Sequence, residues 1–88
     1  MTAIYLQSFL RDVKKLRDQK IQRAVAAAIE DVDAANSISE IRSLKRLSGQ
    51  TDYYRIRVGD WRIGLKIVAN MVTFVRCLHR REVYRYFP

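Results

Sequence analysis

The sequence is poor in the residues that build disulfides, metal sites and phosphate loops. Its 88 residues include one cysteine, one histidine, one proline and three glycines. A single thiol excludes an internal disulfide, and Cys77 with His79 is too small a set to hold a metal ion. Three scattered glycines do not form the glycine-rich loop that cradles phosphates. We therefore expect no metal and no other cofactor.

Long apolar runs are also absent. No segment reaches the length of a membrane span, and the N-terminus lacks the basic region and apolar block of a secretory signal. We therefore expect a cytoplasmic protein. The length is typical of one small domain, and we predict a single domain over residues 1–88.

Acidic residues are scarce in the second half of the chain. The net charge is +8, and residues 1–40 contain as many acidic as basic side chains, so the whole excess lies in residues 41–88. A basic surface attracts polyanions, which makes nucleic acid the leading class of partner. The alternatives are a protein that is basic only for solubility, or one that docks on an acidic protein.

The clearest pattern lies in residues 53–68, where apolar and polar side chains alternate. Positions 54, 56 and 58 place apolar side chains on one face of a strand, whereas Arg55 and Arg57 fall on the other face. A second alternating segment follows Gly59-Asp60, a pair that suits a tight turn. The sequence thus predicts a β-hairpin whose polar face gathers these arginines with Arg62.

Periodicity also predicts the remaining elements. Residues 2–6 fit a short strand, and two helices follow, the first capped by Ser8 and the second ending near Asn36. Residues 37–50 fit a turn of helix or an irregular crossover, and residues 71–78 predict a strand buried on both faces, before a short helical or irregular tail. The predicted class is α+β: an N-terminal strand and an antiparallel helical hairpin packed on an antiparallel sheet of about four strands.

Several kinds of catalytic site are excluded by the residues present. One histidine and one cysteine do not form a nucleophilic triad, and the acidic residues of the second half do not form a carboxylate pair. What remains is a set of cations and aromatics that can bind phosphate oxygens and stack on unpaired bases. Its members are Tyr53, Arg55, Arg57, Arg62, His79, Arg80, Arg81, Tyr84 and Tyr86.

Such a set can also cleave RNA. The adjacent 2′-hydroxyl supplies the nucleophile, so the protein needs only groups that transfer protons and cations that stabilise the phosphorane. Histidine is the side-chain type that ordinarily titrates near neutrality, which makes His79 the candidate for proton transfer. The alternative is a structural histidine beside a solvated arginine face.

The sequence resembles the RelE/ParE toxin superfamily over nearly the whole chain, and the specific motifs lie from residue 44 onward. The segments that carry the resemblance are Leu44–Gly49, Tyr54–Ile63 and the closing His79–Tyr84. The resemblance implies the toxin of a type II toxin–antitoxin system. RelE-like members are ribosome-dependent endoribonucleases that cut messenger RNA, and a cognate antitoxin restrains them.

The resemblance also implies roles for single residues. Its catalytic positions fall on Arg57, Arg62, His79, Arg80 and Tyr84. The arginines would neutralise the scissile phosphate, the tyrosine would stack on or orient a base, and the histidine is a candidate acid or base. Its RNA-binding positions fall on Lys45, Arg55, Arg81 and Tyr86. Arginines stand where the best-known member has lysines, and arginine does not give up its proton, so the general base stays unassigned.

Two other functions fit the same residues. ParE-like members of the superfamily poison DNA gyrase and cleave no RNA, and their fold is similar, so fold alone does not decide between them. The closing His79, Arg80 and Tyr84 favour the ribonuclease. The other possibility is a binding module without activity, whose basic face docks on ribosomal RNA or on an acidic antitoxin.

Overall fold

A strand and two helices precede four strands and a short final helix in the computed structural model, which describes residues 1–88. The strands are β1 (Thr2–Tyr5), β2 (Leu44–Arg46), β3 (Tyr53–Val58), β4 (Trp61–Val68) and β5 (Met71–His79). The helices are α1 (Gln7–Lys14), α2 (Gln19–Ala34) and α3 (Val83–Tyr86), with a 3₁₀ turn at Ile38–Glu40. No helix combines the length and the apolar character that a bilayer span requires.

The five strands form one sheet in the order β1-β5-β4-β3-β2. β1 runs parallel to β5, with Thr2 opposite Met71, and the other neighbours are antiparallel. The predicted α+β class is confirmed, although the sheet has one strand more than the predicted four and one parallel pair. The additional strand is β2, whose three residues are too few to show an alternating pattern.

The β3–β4 hairpin has the predicted turn and the predicted faces. Gly59 takes a φ of +58°, a left-handed conformation that glycine adopts without steric cost. The apolar residues of β3 are buried in the core beneath the helices, whereas Arg55 and Arg57 lie on the other face. Alternation in the sequence therefore placed the arginines correctly.

A bulge in the β4–β5 ladder changes which residues of β5 point to the helices. The register shifts between Gly64 and Leu65, so that Val75 is an extra residue in β5. Phe74 and Cys77 are three positions apart, yet both belong to the core beneath the helices. This shift contributes to the mixed apolar pattern that predicted burial on both faces of this strand.

Both predicted helix caps are wrong, although α2 ends close to the predicted position. Helix α1 begins one residue before Ser8 and has no side-chain cap. The Ser8 hydroxyl instead donates a hydrogen bond of 2.6 Å to the carbonyl oxygen of Val75. Helix α2 ends with Ala35 in an extended conformation, and Asn36 does not adopt the left-handed conformation that was predicted to end it. Tertiary hydrogen bonding has replaced the local cap of the first helix.

Helix α1 covers the edge of β5 beyond the end of β1. One turn after Ser8, the buried carboxylate of Asp12 accepts a hydrogen bond of 3.0 Å from the backbone N–H of Cys77. The same carboxylate pairs with Arg76 at 2.7 Å. These contacts satisfy backbone groups that an edge strand would otherwise leave open, and they fix the part of β5 that leads to His79.

Apolar side chains are buried on both faces of the sheet. The larger cluster lies under α1 and α2 and includes Phe9, Val25, Val32, Ile63 and Phe74. The smaller cluster lies on the opposite face and consists of Leu47, Leu78, Val83 and Phe87. The second cluster holds α3 against the face that carries the hairpin arginines.

Candidate functional site

Four arginines lie together at one end of the sheet. Arg57 of β3 stands directly opposite Arg62 of β4, and Arg55 is two residues earlier on the same face of β3. Arg80 follows the end of β5, and its N–H donates a hydrogen bond of 2.7 Å to the carbonyl oxygen of Asp60 in the hairpin turn. Arg55, Arg57, Arg62 and Arg80 are termed the arginine cluster.

Arg62 is the most constrained member of the cluster. Its Nη1 donates hydrogen bonds of 2.8 Å to the carbonyl oxygens of Gly59 and Trp61. Burial lowers the pKa of its guanidinium, and the charges of Arg55 and Arg57 lower it further. The hairpin therefore holds this side chain in place against the repulsion of its neighbours.

The cluster has little negative charge to balance it. The one carboxylate that approaches is Asp60, whose Oδ1 lies 3.8 Å from Nε of Arg80, and both side chains are more than half exposed. Such an exposed pair contributes little and is screened by salt. The excess of positive charge favours an anionic ligand that carries several oxygens, such as a phosphate.

A groove of about 390 Å³ opens beside the cluster. Lys45 of β2 stands opposite Arg55 of β3, and the Arg55 guanidinium donates a hydrogen bond of 3.2 Å to the carbonyl oxygen of Ser43. Tyr84 of α3 is 66% exposed and also lines the groove. The lining consists of Lys45, Arg46, Leu47, Ser48, Gln50, Arg55, Tyr84, Phe87 and Pro88. An exposed ring beside the two cations of Lys45 and Arg55 suits a nucleotide strand.

Helix α3 brings Tyr84 to this groove because its apolar side is buried on the sheet. Val83 and Phe87 are buried together with Leu78 of β5. The ring of Phe87 also lies over Gly64 of β4, where a Cβ atom would come within 2.7 Å of the ring. The absence of a side chain at Gly64 therefore decides where the end of the chain, and with it Tyr84, is seated.

His79 lies on the other side of the sheet. Its ring meets that of Trp61 edge-on at a centroid distance of 5.5 Å, and Trp61 packs on the core beneath the helices. Its Nδ1 accepts a hydrogen bond of 3.2 Å from the N–H of Arg81. The structure therefore does not bring His79 together with Arg62, which follows Trp61 in β4 and points to the opposite face.

Tyr86 also lies away from the groove. Arg76 places its guanidinium 5.9 Å from the centre of the Tyr86 ring, and both residues line a second cavity on the side of His79. Of the predicted RNA-binding residues, Lys45 and Arg55 line the groove and Tyr86 lines the second cavity, whereas the exposed Arg81 lines neither. No three His, Cys, Asp or Glu side chains converge in a way that could hold a metal ion.

The sequence matches a known family over residues 3–84, described as the ParE toxin of the type II toxin–antitoxin system parDE. The chain belongs to the RelE/ParE toxin superfamily. Toxin RelE3 of Methanocaldococcus jannaschii is 34% identical to this toxin over 89 residues, which cover 100% of each chain. The chain is thus a type II toxin of the RelE family.

Solved structures share the fold of the toxin. A chain of the RelB-RelE antitoxin–toxin complex from Methanococcus jannaschii has a TM-score of 0.79 and 32% identity, covering 97% of this chain and 99% of that chain. The RelBE2 complex from Mycobacterium tuberculosis gives a TM-score of 0.63 at 26% identity, with 90% and 96% covered. The YoeB dimer from Staphylococcus aureus, at 18% identity, agrees in fold with a TM-score of 0.70 over 90% and 95% of the chains.

Sequence reasoning missed two features of the toxin. Phe87 closes the groove, but it lies just beyond a helix of four residues, which is too short for periodicity to reveal its buried side. The sequence did contain a signal for the partly buried pair of Asp12 and Arg76. Asp12 is a carboxylate on the buried face of α1, and Arg76 is the one Lys, Arg, Asp or Glu of β5. A carboxylate on the buried face of a helix and the single charge of an otherwise apolar strand indicate a pair, because a buried charge needs a partner.

Proposed function

We propose that this toxin is a ribosome-dependent endoribonuclease that cleaves messenger RNA. The single observation that carries the proposal is the arginine cluster beside the groove lined by Tyr84, which joins unbalanced positive charge to an exposed aromatic ring. RNA contains its own nucleophile, so a cationic site that stabilises the phosphorane is sufficient to favour cleavage. Similarity to RelE-family toxins along the whole chain supports the same activity.

In the proposed reaction the 2′-oxygen forms a bond to the adjacent phosphorus while the bond from phosphorus to the 5′-oxygen breaks. The products are a 2′,3′-cyclic phosphate and a 5′-hydroxyl, and solvent carries the proton from the attacking oxygen to the leaving oxygen. Arg57, Arg62 and Arg80 neutralise the phosphate oxygens as negative charge builds up in the phosphorane. Arg55 holds the neighbouring backbone, and Tyr84 stacks on a base beside the cut.

We propose that His79 positions Arg62 and the backbone that follows Arg80, and that it does not transfer a proton in the reaction. Its ring contacts Trp61, whose carbonyl oxygen accepts a hydrogen bond from Arg62, and its Nδ1 holds the backbone that follows Arg80. His79→Gln should therefore weaken cleavage without changing the shape of its pH profile. If the variant abolishes a step in that profile between pH 5 and 8, His79 transfers a proton after all.

We also propose a cognate antitoxin as the physiological partner. The RelB-RelE complex from Methanococcus jannaschii and the RelBE2 complex from Mycobacterium tuberculosis each contain a related toxin bound to an antitoxin. The net charge of +8 is consistent with a partner whose binding segment is acidic. Ribosomes and messenger RNA are the proposed targets, so the proposed location is the cytoplasm. We propose that residues 1–88 act as one domain.

The second candidate function is inhibition of DNA gyrase. The observation that favours it is the match to the ParE family over residues 3–84. A gyrase inhibitor would arrest growth and trap gyrase on DNA while messenger RNA stays intact. The nucleic acid that is broken therefore distinguishes the two functions: messenger RNA for the ribonuclease, and gyrase-bound DNA for the gyrase inhibitor.

The decisive experiment is induced expression in a bacterial host, followed by primer extension on abundant messages. Wild-type toxin should produce discrete cuts within translated codons. Arg62→Ala and Arg80→Ala should reduce cutting by about 100-fold or more, because each removes a positive charge that stabilises the negatively charged transition state. Arg23→Ala on the exposed surface of α2 is the matched control and should cut normally. Full cutting by the double variant of Arg62 and Arg80 would exclude the mechanism, and gyrase–DNA complexes with intact messages would indicate the ParE-like function.

A further inference from the structure

A second cavity of about 430 Å³ lies at the same end of the sheet, on the side of α1. It shares no lining residue with the groove that holds Tyr84. Its lining brings together Lys15 from the end of α1, Trp61 and His79 from the sheet, and Glu82 and Tyr86 from the C-terminal segment. This cavity is termed the tryptophan pocket, and the proposed cleavage reaction uses it only through the contact of His79 with Trp61 that positions Arg62.

Two charges in the tryptophan pocket are already paired, and two are free. The Asp12 carboxylate is occupied, since it accepts hydrogen bonds from Arg76 at 2.7 and 3.2 Å and from the N–H of Cys77 at 3.0 Å. Lys15 and Glu82 are exposed, and neither has an oppositely charged atom within 4.0 Å. The pocket therefore offers one ammonium and one carboxylate to a ligand.

The pocket also presents two aromatic rings. Trp61 is partly buried, and its edge-on contact with His79 restricts its orientation. Tyr86 is 50% exposed, and the guanidinium of Arg76 at 5.9 Å supports its ring. Rings that are fixed in place and open to solvent are suited to stacking on planar ligands, and nucleic-acid bases are the planar ligands that basic proteins meet most often.

We propose that the tryptophan pocket binds one unpaired RNA nucleotide whose base carries an exocyclic amine. The base stacks on Tyr86 or Trp61, Lys15 contacts the phosphate, and Glu82 accepts a hydrogen bond from the amine, as carboxylates do with cytosine. Uracil has no exocyclic amine and would present a carbonyl oxygen to Glu82. A carboxylate repels that oxygen, because both groups are hydrogen-bond acceptors. The proposal rests on the proposed function only in taking RNA as the ligand.

The position of the pocket relative to the arginine cluster supports a nucleotide over an acidic protein segment. Trp61 and Arg62 are consecutive residues of β4 that face opposite sides of the sheet. The exposed Arg80 and Arg81 directly follow the end of β5, at the same end of the sheet. An RNA strand held by the cluster can thus pass around this end of the sheet into the pocket. An acidic peptide would bring a carboxylate to Glu82, whereas a nucleotide can present the amine of its base to Glu82 and its phosphate to Lys15.

Trp61 is the only tryptophan of the chain, so its fluorescence reports on the pocket directly. The experiment titrates adenosine 5′-monophosphate and uridine 5′-monophosphate into the isolated toxin, without ribosomes. The adenine nucleotide should change the fluorescence in a saturable manner and bind about tenfold more tightly than the uracil nucleotide. Tyr86→Ala and Lys15→Gln should each weaken binding by about tenfold, and Glu82→Ala should abolish the preference between the two nucleotides.

Two matched controls separate this site from general attraction and from the groove. Lys14→Gln removes the same charge from the neighbouring residue, which does not line the pocket, and should leave the response unchanged. Tyr84→Ala alters the groove and should also leave the response unchanged, even if cleavage is lost. The proposal is wrong if neither nucleotide gives a saturable response, if Lys14→Gln weakens binding as much as Lys15→Gln, or if only an acidic antitoxin changes the fluorescence. Because no step of the titration requires cleavage, failure of the ribonuclease proposal would be seen separately.

Discussion

Replacement of Gly64 by alanine should release the C-terminal segment while the rest of the fold persists. The added Cβ would lie 2.7 Å from Cγ and 2.8 Å from Cδ1 and Cδ2 of Phe87, closer than non-bonded carbon atoms approach. Phe87 is 2% exposed and belongs to the smaller apolar cluster, so its ring must leave or the strand must shift. Since α3 begins four residues before Phe87, displacement of the ring also moves Tyr84.

The size of the effect follows from what the added methyl group disturbs. Forcing a carbon into packed apolar surroundings costs about 1–3 kcal/mol, and complete loss of the buried Phe87 ring would cost roughly 3–5 kcal/mol. The larger core lies on the other face of the sheet and is not touched. The variant should therefore fold with reduced stability, and misplacement of Tyr84 should reduce cleavage by about tenfold or more.

A double-mutant cycle with Phe87→Ala isolates the contact. Gly64 does not adopt a left-handed conformation, so alanine introduces no backbone strain at this position. Once the ring is removed, Gly64→Ala should stabilise the strand by about 0.5–1 kcal/mol, because glycine loses more conformational entropy on folding. The coupling between the two positions should thus be roughly 1.5–4 kcal/mol, measured by urea unfolding of all four proteins.

Two outcomes would refute this reasoning. If Gly64→Ala destabilises the protein equally with and without Phe87, the cost comes from the strand and not from the ring. If Gly64→Ala leaves the unfolding free energy and cleavage unchanged, Phe87 does not hold the C-terminal segment in the way described.

Three further predictions concern charges and the thiol. Arg57→Gln should abolish cleavage yet raise the melting temperature at low salt, because it relieves repulsion at Arg62, and the gain should disappear in thermal scans at about 1 M salt. Asp12→Ala should lower the urea-derived unfolding free energy by roughly 2–3 kcal/mol, since Arg76 and the N–H of Cys77 lose their acceptor; an effect below about 0.5 kcal/mol would contradict this. Burial raises the pKa of the Cys77 thiol from 9.0 to about 12, so native protein should react with a thiol reagent at pH 8 only as fast as it unfolds. Because the folded pKa is the higher one, the thiol's contribution to stability is lost as pH rises from 9 towards 12, and Cys77→Ala should flatten that part of the profile.

Local patterns in the sequence were sufficient for the elements that carry their own signal. Strict alternation identified both strands of the hairpin, and Gly59 marked the turn between them. Both signals are local, because the two-residue period of a strand and the left-handed conformation of a turn depend only on residues close together in the sequence. The same pattern placed Arg57 and Arg62 on one face, and a count of charges identified the basic second half. These features needed no knowledge of distant contacts.

The remaining features depended on residues that are far apart in the chain. The parallel pairing of β1 with β5, the strand at Leu44–Arg46 and the bulge near Gly64 arise from long-range ladders that leave little trace in local periodicity. Ser8 illustrates the conflict, since its hydroxyl caps no helix and bonds instead to Val75. Tertiary hydrogen bonds override local preference where they satisfy a buried backbone group.

The division of the predicted site residues was decided in the same way. The sequence by itself determined that arginines, tyrosines and one histidine occur in the hairpin and the closing segment. Only the tertiary structure decided that Tyr84 lines the groove of the arginine cluster, whereas His79 and Tyr86 line the tryptophan pocket. The physical reason is that strand pleating and the packing of Phe87 on Gly64 set the side of the sheet to which each side chain points. Phe87 and Gly64 are too far apart in the chain for a local sequence pattern to relate them.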